Sequence, residues 1–121
     1  MNKMVFIVDD NDANLTLAAS ILEEKYRVLT MPSAQKMLSL LEKKLPDLIL
    51  LDIEMPEMTG MEAIVQLKEN PKWKEIPVVF LTGWIDDKVR AEAMKAGALD
   101  IIGKPIVHSV LLECVMKYIK Q

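Results

Sequence analysis

An alternating α/β fold, with five parallel strands covered by helices on both faces, is what this sequence predicts. Three observations lead there. Short apolar runs recur along the chain, amphipathic stretches of helical spacing separate them, and the runs are continuous rather than alternating, as strands buried on both faces require. A strand–helix unit repeated five times calls for a parallel sheet with right-handed crossovers.

The elements can be justified in order. Val5–Val8 is the first strand, and Asp9 and Asp10 stop it. Leu15, Ala18, Ala19 and Leu22 recur at helical spacing, with Asp12 as candidate N-cap. Arg27–Met31 is the weakest strand and reads as an edge. Ser33 is placed to cap a helix carrying Ala34, Met37, Leu38 and Leu41. Pro46 precedes the strand Leu48–Leu51, and Pro77 precedes Val78–Leu81, positions that suit a residue unfit for either interior. Between them Met61, Ile64, Val65 and Lys68 follow Gly60 as a third helix. Val89, Ala93 and Ala96 form the fourth stripe, which Gly97 ends from the left-handed C′ position. Leu99–Ile102 is the fifth strand, and Val107, Val110, Leu111, Cys114, Val115 and Tyr118 make the last and longest stripe.

Composition narrows the functional classes. The 121 residues, 51% of them hydrophobic and 27% charged, suit one domain over 1–121 with a real core. A single cysteine excludes a disulfide framework and any multi-cysteine metal site. The net charge of -3 argues against nucleic-acid binding by bulk electrostatics. The acidic excess lies in residues 1–60, where 10 acids face 6 bases. No apolar run approaches the length of a membrane span or a signal-peptide core, so a cytoplasmic protein is expected.

In open parallel sheets, ligands bind beyond the carboxyl ends of the strands, where strand order switches. Asp9 and Asp10 close the first strand, Asp52 the third, Thr82 the fourth, and Lys104 follows the fifth. Three clustered carboxylates repel one another unless a counter-charge relieves them. Mg²⁺ does so with few carboxylates and several waters, which leaves a carboxylate free to attack phosphorus. A lysine and a hydroxyl are the partners that the charge on a transferring phosphoryl group needs.

Val8-Asp9-Asp10, the stretch from Leu51-Asp52-Ile53-Glu54-Met55-Pro56 to Gly60, Leu81-Thr82-Gly83 and Gly103-Lys104-Pro105 together resemble the four signatures of the response-regulator receiver domain. The resemblance covers essentially the whole chain and implies a flavodoxin-like (βα)5 fold, a doubly wound five-stranded parallel sheet in the order 2-1-3-4-5. It implies that Asp52 is the phosphoacceptor, that Asp10 is the chief Mg²⁺ carboxylate with Asp9 in support, and that Glu54 gives the metal a backbone carbonyl. Thr82 and Lys104 would bond the phosphoryl group, and the Lys104–Pro105 bond would be cis.

The implied function is a two-component signalling switch. It takes a phosphoryl group from a sensor histidine kinase or phosphotransfer protein, catalyses its own transfer without being a turnover enzyme, and reshapes the face formed by the fourth helix, fifth strand and fifth helix. An output domain, a downstream target protein or a second copy would read that face; no nucleic acid or membrane contact is expected. Two other readings stay open on sequence alone: an aspartate-nucleophile phosphohydrolase, since Asp52-Ile53-Glu54 superficially resembles an Asp-x-Asp motif, and a receiver-like interaction module that works without phosphate.

The family pattern is broken in places. Ile101 stands where an aromatic is usual three residues before the lysine, Ile106 where a Phe is usual, and Gly83 with Trp84 follows the threonine. A β-branched side chain cannot swing a ring between buried and exposed states, so coupling is expected to pass through Thr82 to the loop carrying Trp84. Lys72-Trp73-Lys74 is read as a solvated loop rather than a nucleic-acid patch, His108 as solvated, and Cys114 as inert on an apolar face.

Overall fold

Five strands and five helices alternate in the computed structural model, which describes residues 3–119: β1 Met4–Val8, α1 Asp12–Leu22, β2 Arg27–Met31, α2 Ala34–Leu41, β3 Leu48–Asp52, α3 Gly60–Glu69, β4 Val78–Thr82, α4 Asp87–Ala96, β5 Asp100–Gly103 and α5 His108–Tyr118. All strand pairs are parallel and the order is β2-β1-β3-β4-β5, as expected. The chain turns outward from β1 to β2 and then returns to the other side of β1 with β3, which opens a crevice at the carboxyl ends of β1 and β3.

The apolar runs divide by alternation between two cores. Phe6, Val8, Ile49, Leu51, Val78, Phe80 and Ile101 face α2, α3 and α4, and pack with Met37, Leu41, Ile64, Leu67 and Ala93. Val5, Ile7, Leu48, Leu50, Val79, Leu81 and Ile102 face α1 and α5, and pack with Ala18, Leu22, Leu111 and Val115. Each fully buried aliphatic or aromatic side chain contributes about 1.5–3 kcal/mol, so these central strands hold the molecule together. β2 keeps only Met31 buried and is the edge that its sequence suggested.

Several local expectations are corrected. The N-cap of α1 is Asn11, whose side chain accepts from Asn14 N, and Asp12 is the first helical residue instead. The strand β5 begins at Asp100, whose carboxylate accepts from Ile101 N and Tyr118 Oη, and Leu99 ahead of it is exposed. Val65, Val107 and Val110 lie on the solvent side of their stripes. Trp73 is buried against the α3 face, so the Lys72–Lys74 loop holds no exposed aromatic between its lysines. Ser33 and Gly97 cap as predicted, Gly97 at φ 111°, and the Lys104–Pro105 bond is cis. His108 is exposed. Burial, with Asp100 beside it, pushes the Cys114 thiol up to about 11, which keeps it protonated and unreactive. Among the described residues, no helix is long and apolar enough to cross a membrane.

Candidate functional site

Among the described residues, Asp9, Asp52 and Thr82 are the buried polar or charged ones, and all three sit at the carboxyl ends of neighbouring strands. Register brings them together. Asp52 pairs with Leu81 across β3 and β4, and Thr82 pairs with Gly103 across β4 and β5. Asp9 extends β1, its N donating to Met31 O as the β1–β2 ladder runs out. Asp10 follows, turned to solvent at the rim.

One carboxylate oxygen from each of Asp9, Asp10 and Asp52 lies within 4.8 Å of the others. Lys104, delivered by the turn after β5, places Nζ 3.0 Å from Asp52 Oδ1 and 3.1 Å from Asp9 Oδ2. Burial lifts the Asp52 carboxyl from the ordinary 3.8 to about 6, opposed by Lys104 and reinforced by Asp9. Burial also pulls the Lys104 ammonium down, but its contacts with Asp52 and Asp9 more than offset this and hold it above the ordinary lysine value. One ammonium thus serves two buried carboxylates, which leaves the cluster short of positive charge.

The donor set fits a hard divalent cation. Asp9 Oδ1 accepts from Asn11 N at 2.9 Å, whereas buried Asp9 Oδ2 has only the Lys104 ammonium, 3.1 Å away and shared with Asp52. Two buried carboxylates that share one ammonium gain from a further cation. Clustered carboxylate oxygens with an exposed member at the mouth suit an ion that keeps part of its water shell.

Thr82 is not in contact with this cluster. Its Oγ1 is 2.6 Å from Glu54 Oε2 and 3.2 Å from Trp84 O. A hydroxyl has one proton, and the shorter, charge-assisted contact takes it, so Thr82 donates to Glu54. Thr82 Oγ1 accepts in turn from Trp84 N at 3.2 Å, and Gly83 N lies 3.4 Å from Glu54 Oε1. Trp84 is 69% exposed, and its Nε1 donates to Asp86, the residue that caps α4 through Val89 N. A continuous set of hydrogen bonds therefore runs from Glu54 through Thr82 and Trp84 to the start of α4.

The side chain of Glu54 is what sequence reasoning missed. The sequence reading concerned its backbone carbonyl alone; in the structure its N donates to Asp52 Oδ1 at 3.2 Å. Its carboxylate meets a partner 28 residues away on another strand, and no local spacing signals such a contact.

The family model described as the response regulator receiver domain matches residues 5–116. The polar-differentiation response regulator DivK of Brucella ovis is 32% identical over 120 residues, with 98% of each chain covered. A probable cyclic di-GMP phosphodiesterase of Vibrio cholerae is 39% identical over 102 residues, which make up 84% of this chain but 23% of that protein. Among solved structures, the chemotaxis protein CheY4 of Vibrio cholerae matches with a TM-score of 0.92 at 25% identity, over 98% of this chain and 99% of that one.

Proposed function

The chain belongs to the response regulator receiver domain family and is a receiver of two-component signalling; from that premise we propose that residues 1–121 form one receiver domain with Asp52 as its phosphoacceptor. The observation that carries the assignment is the placement of Asp52: it ends β3 at 1% exposure, 3.0 Å from Lys104 and within the acidic cluster of Asp9 and Asp10.

An Asp52 oxygen attacks the phosphorus of a phosphohistidine. The new O–P bond forms as the P–N bond breaks, and the imidazole nitrogen keeps the electron pair and takes up a proton. Lys104, already beside the attacking carboxylate, pairs with a phosphoryl oxygen; Thr82 must leave Glu54 to reach another. Asp9, Asp10, Asp52 and the Glu54 backbone carbonyl would hold Mg²⁺, which would supply positive charge against the oxygens of the transferring group. The raised Asp52 carboxyl is ionised near neutral pH, as a nucleophile must be. These residues promote the domain's own phosphorylation and dephosphorylation, so the chain is a switch rather than a turnover enzyme.

The partners are a sensor histidine kinase or phosphotransfer protein upstream, and an output domain or target protein downstream. The α4–β5–α5 face is the one proposed to change, and exposed Met94 on α4 and Leu99 ahead of β5 give a target or a second copy apolar area to bury. Ile101 is buried and packed in the core, so the change is routed through Thr82, Trp84 and Asp86. The lone Cys114, held as a thiol, suits a reducing compartment such as the cytoplasm.

Incubation with acetyl phosphate and Mg²⁺ should add one phosphoryl group by intact mass, and EDTA should suppress it. Asp10→Asn should weaken Mg²⁺ binding by about tenfold or more, and by more than Asp9→Asn does, because Asp10 faces solvent while Asp9 already shares Lys104. Titration of tryptophan emission with Mg²⁺ reads both. Equal affinities for both variants and the parent would sink the metal site as drawn.

A further inference from the structure

The Glu54 carboxylate occupies the groups that an incoming phosphoryl group has to claim. It takes the Thr82 hydroxyl proton at 2.6 Å with one oxygen and faces Gly83 N at 3.4 Å with the other. Its own backbone is tied to the acceptor, since Glu54 N donates to Asp52 Oδ1. One residue therefore holds the nucleophile's carboxylate with its main chain and the end of the neighbouring strand with its side chain.

We propose that Glu54 is a positioning residue that acts as a resident anion, filling the phosphoryl oxygen's place on Thr82 and Gly83 until phosphorylation displaces it. The inference rests on the reading of Asp52 as phosphoacceptor.

The chemistry favours this role. A carboxylate and a phosphoryl group offer the same kind of oxygen to a hydroxyl and an amide, and they carry like charge, so they compete for the same donors and repel each other. Thr82 has one proton to give. Once a phosphoryl group on Asp52 takes it, Glu54 must swing toward solvent, where its side chain is already exposed. Thr82 also accepts from Trp84 N, and Trp84 is tied to the cap of α4. Releasing Glu54 thus frees the first link of the route to α4, and the resting arrangement is held by an anion that belongs to the chain itself.

The test is a double-mutant cycle on beryllofluoride binding in the presence of Mg²⁺, using the full chain in four forms: parent, Glu54→Ala, Thr82→Ala and the double variant. Glu54→Ala is expected to bind beryllofluoride about tenfold more tightly than the parent, the equivalent of one charge-assisted hydrogen bond no longer surrendered. In the Thr82→Ala background the same substitution should gain less than about twofold, because there is no hydroxyl to release. Without beryllofluoride, the Gly83 amide proton of Glu54→Ala should move upfield by NMR, while β1 and β3 amides stay in place. An equal gain with and without the Thr82 hydroxyl would overturn the proposal, leaving simple charge repulsion as the whole effect. Weaker binding by Glu54→Ala would also overturn it, and would make Glu54 a helper of the bound state. Failure of all four proteins to take up beryllofluoride would instead bring down the phosphoacceptor reading, and this inference with it.

Discussion

Asp52→Asn is expected to abolish phosphoryl labelling and, at the same time, to make the metal-free protein more stable at neutral pH. The first effect follows from removing the nucleophile. The second follows from burial, which lifts the Asp52 carboxyl from 3.8 to about 6 in the folded protein. Between those two pH values the native state binds more protons than the unfolded state, so stability falls as pH rises through this window and stays lower above it. Asparagine has nearly the same shape and never ionises, so it escapes that loss. An elevation from 3.8 to about 6 corresponds to about 3 kcal/mol. Asp9 and Lys104 respond when Asp52 ionises, and about 1–2 kcal/mol is expected to survive as a measured difference. Urea unfolding at pH 7.5 with EDTA should show it, and the gap should close near pH 4. Mg²⁺ should narrow it as well, because a metal that binds only the native parent stabilises the parent. A variant less stable than the parent at pH 7.5 would mean that the Lys104 pair outweighs burial.

Gly60→Ala sets two effects of opposite sign against each other. Gly60 opens α3, and helix propensity alone would credit alanine with up to about 1 kcal/mol. A Cβ at this position, however, would collide with the Asp52 carbonyl oxygen and come within 2.9 Å of Ile53 Cα. Both obstacles are backbone at the end of β3, a strand buried at every position, so neither can step aside cheaply. The Gly60 amide also donates to Ile53 O at 2.9 Å, which closes the loop that leads away from the acceptor. Steric cost is expected to win, with a net loss of about 2–3 kcal/mol. Labelling of the fraction that remains folded should also slow, because the displaced backbone carries Asp52. A rise in stability would show that propensity dominates and that the loop yields.

The five parallel strands and the convergence of Asp9, Asp10, Asp52 and Lys104 on one rim were legible in the sequence for one physical reason, whereas the order 2-1-3-4-5 came from the family resemblance. A continuous apolar run of about five residues can only be a doubly covered strand here, and a strand's last residue lands on the rim whatever its neighbours are. Thr82 was legible as to place but not as to partner. Its hydroxyl answers to Glu54, and that contact depends on how the loop after β3 folds back under Gly60, a close approach that the spacing of side chains does not encode. The same limit explains Asp12 and Asn11, where two adjacent residues can each cap a helix and Asn11 is the one whose side chain reaches Asn14 N. Trp73 escaped because a tryptophan flanked by lysines has the composition of a surface, whereas backbone turns from Asn70 to Ile76 roll its ring under α3.

Among the helices, α4 is set apart by having one buried side chain, Ala93, with Asp86 and Gly97 fixing its two ends. Its remaining contacts with the sheet are partial, so little apolar surface resists its detachment. Amide hydrogens of α4 should therefore exchange with solvent through local opening, at rates that barely change in mild denaturant, whereas those of β1, β3 and β4 should exchange only when the whole molecule unfolds. The molecule divides into a stiff frame that holds the carboxylates in register and a loosely moored segment that can be re-seated without disturbing them. Energy delivered at the rim need not work against the sheet; it has only to bias a helix held to it by one fully buried side chain.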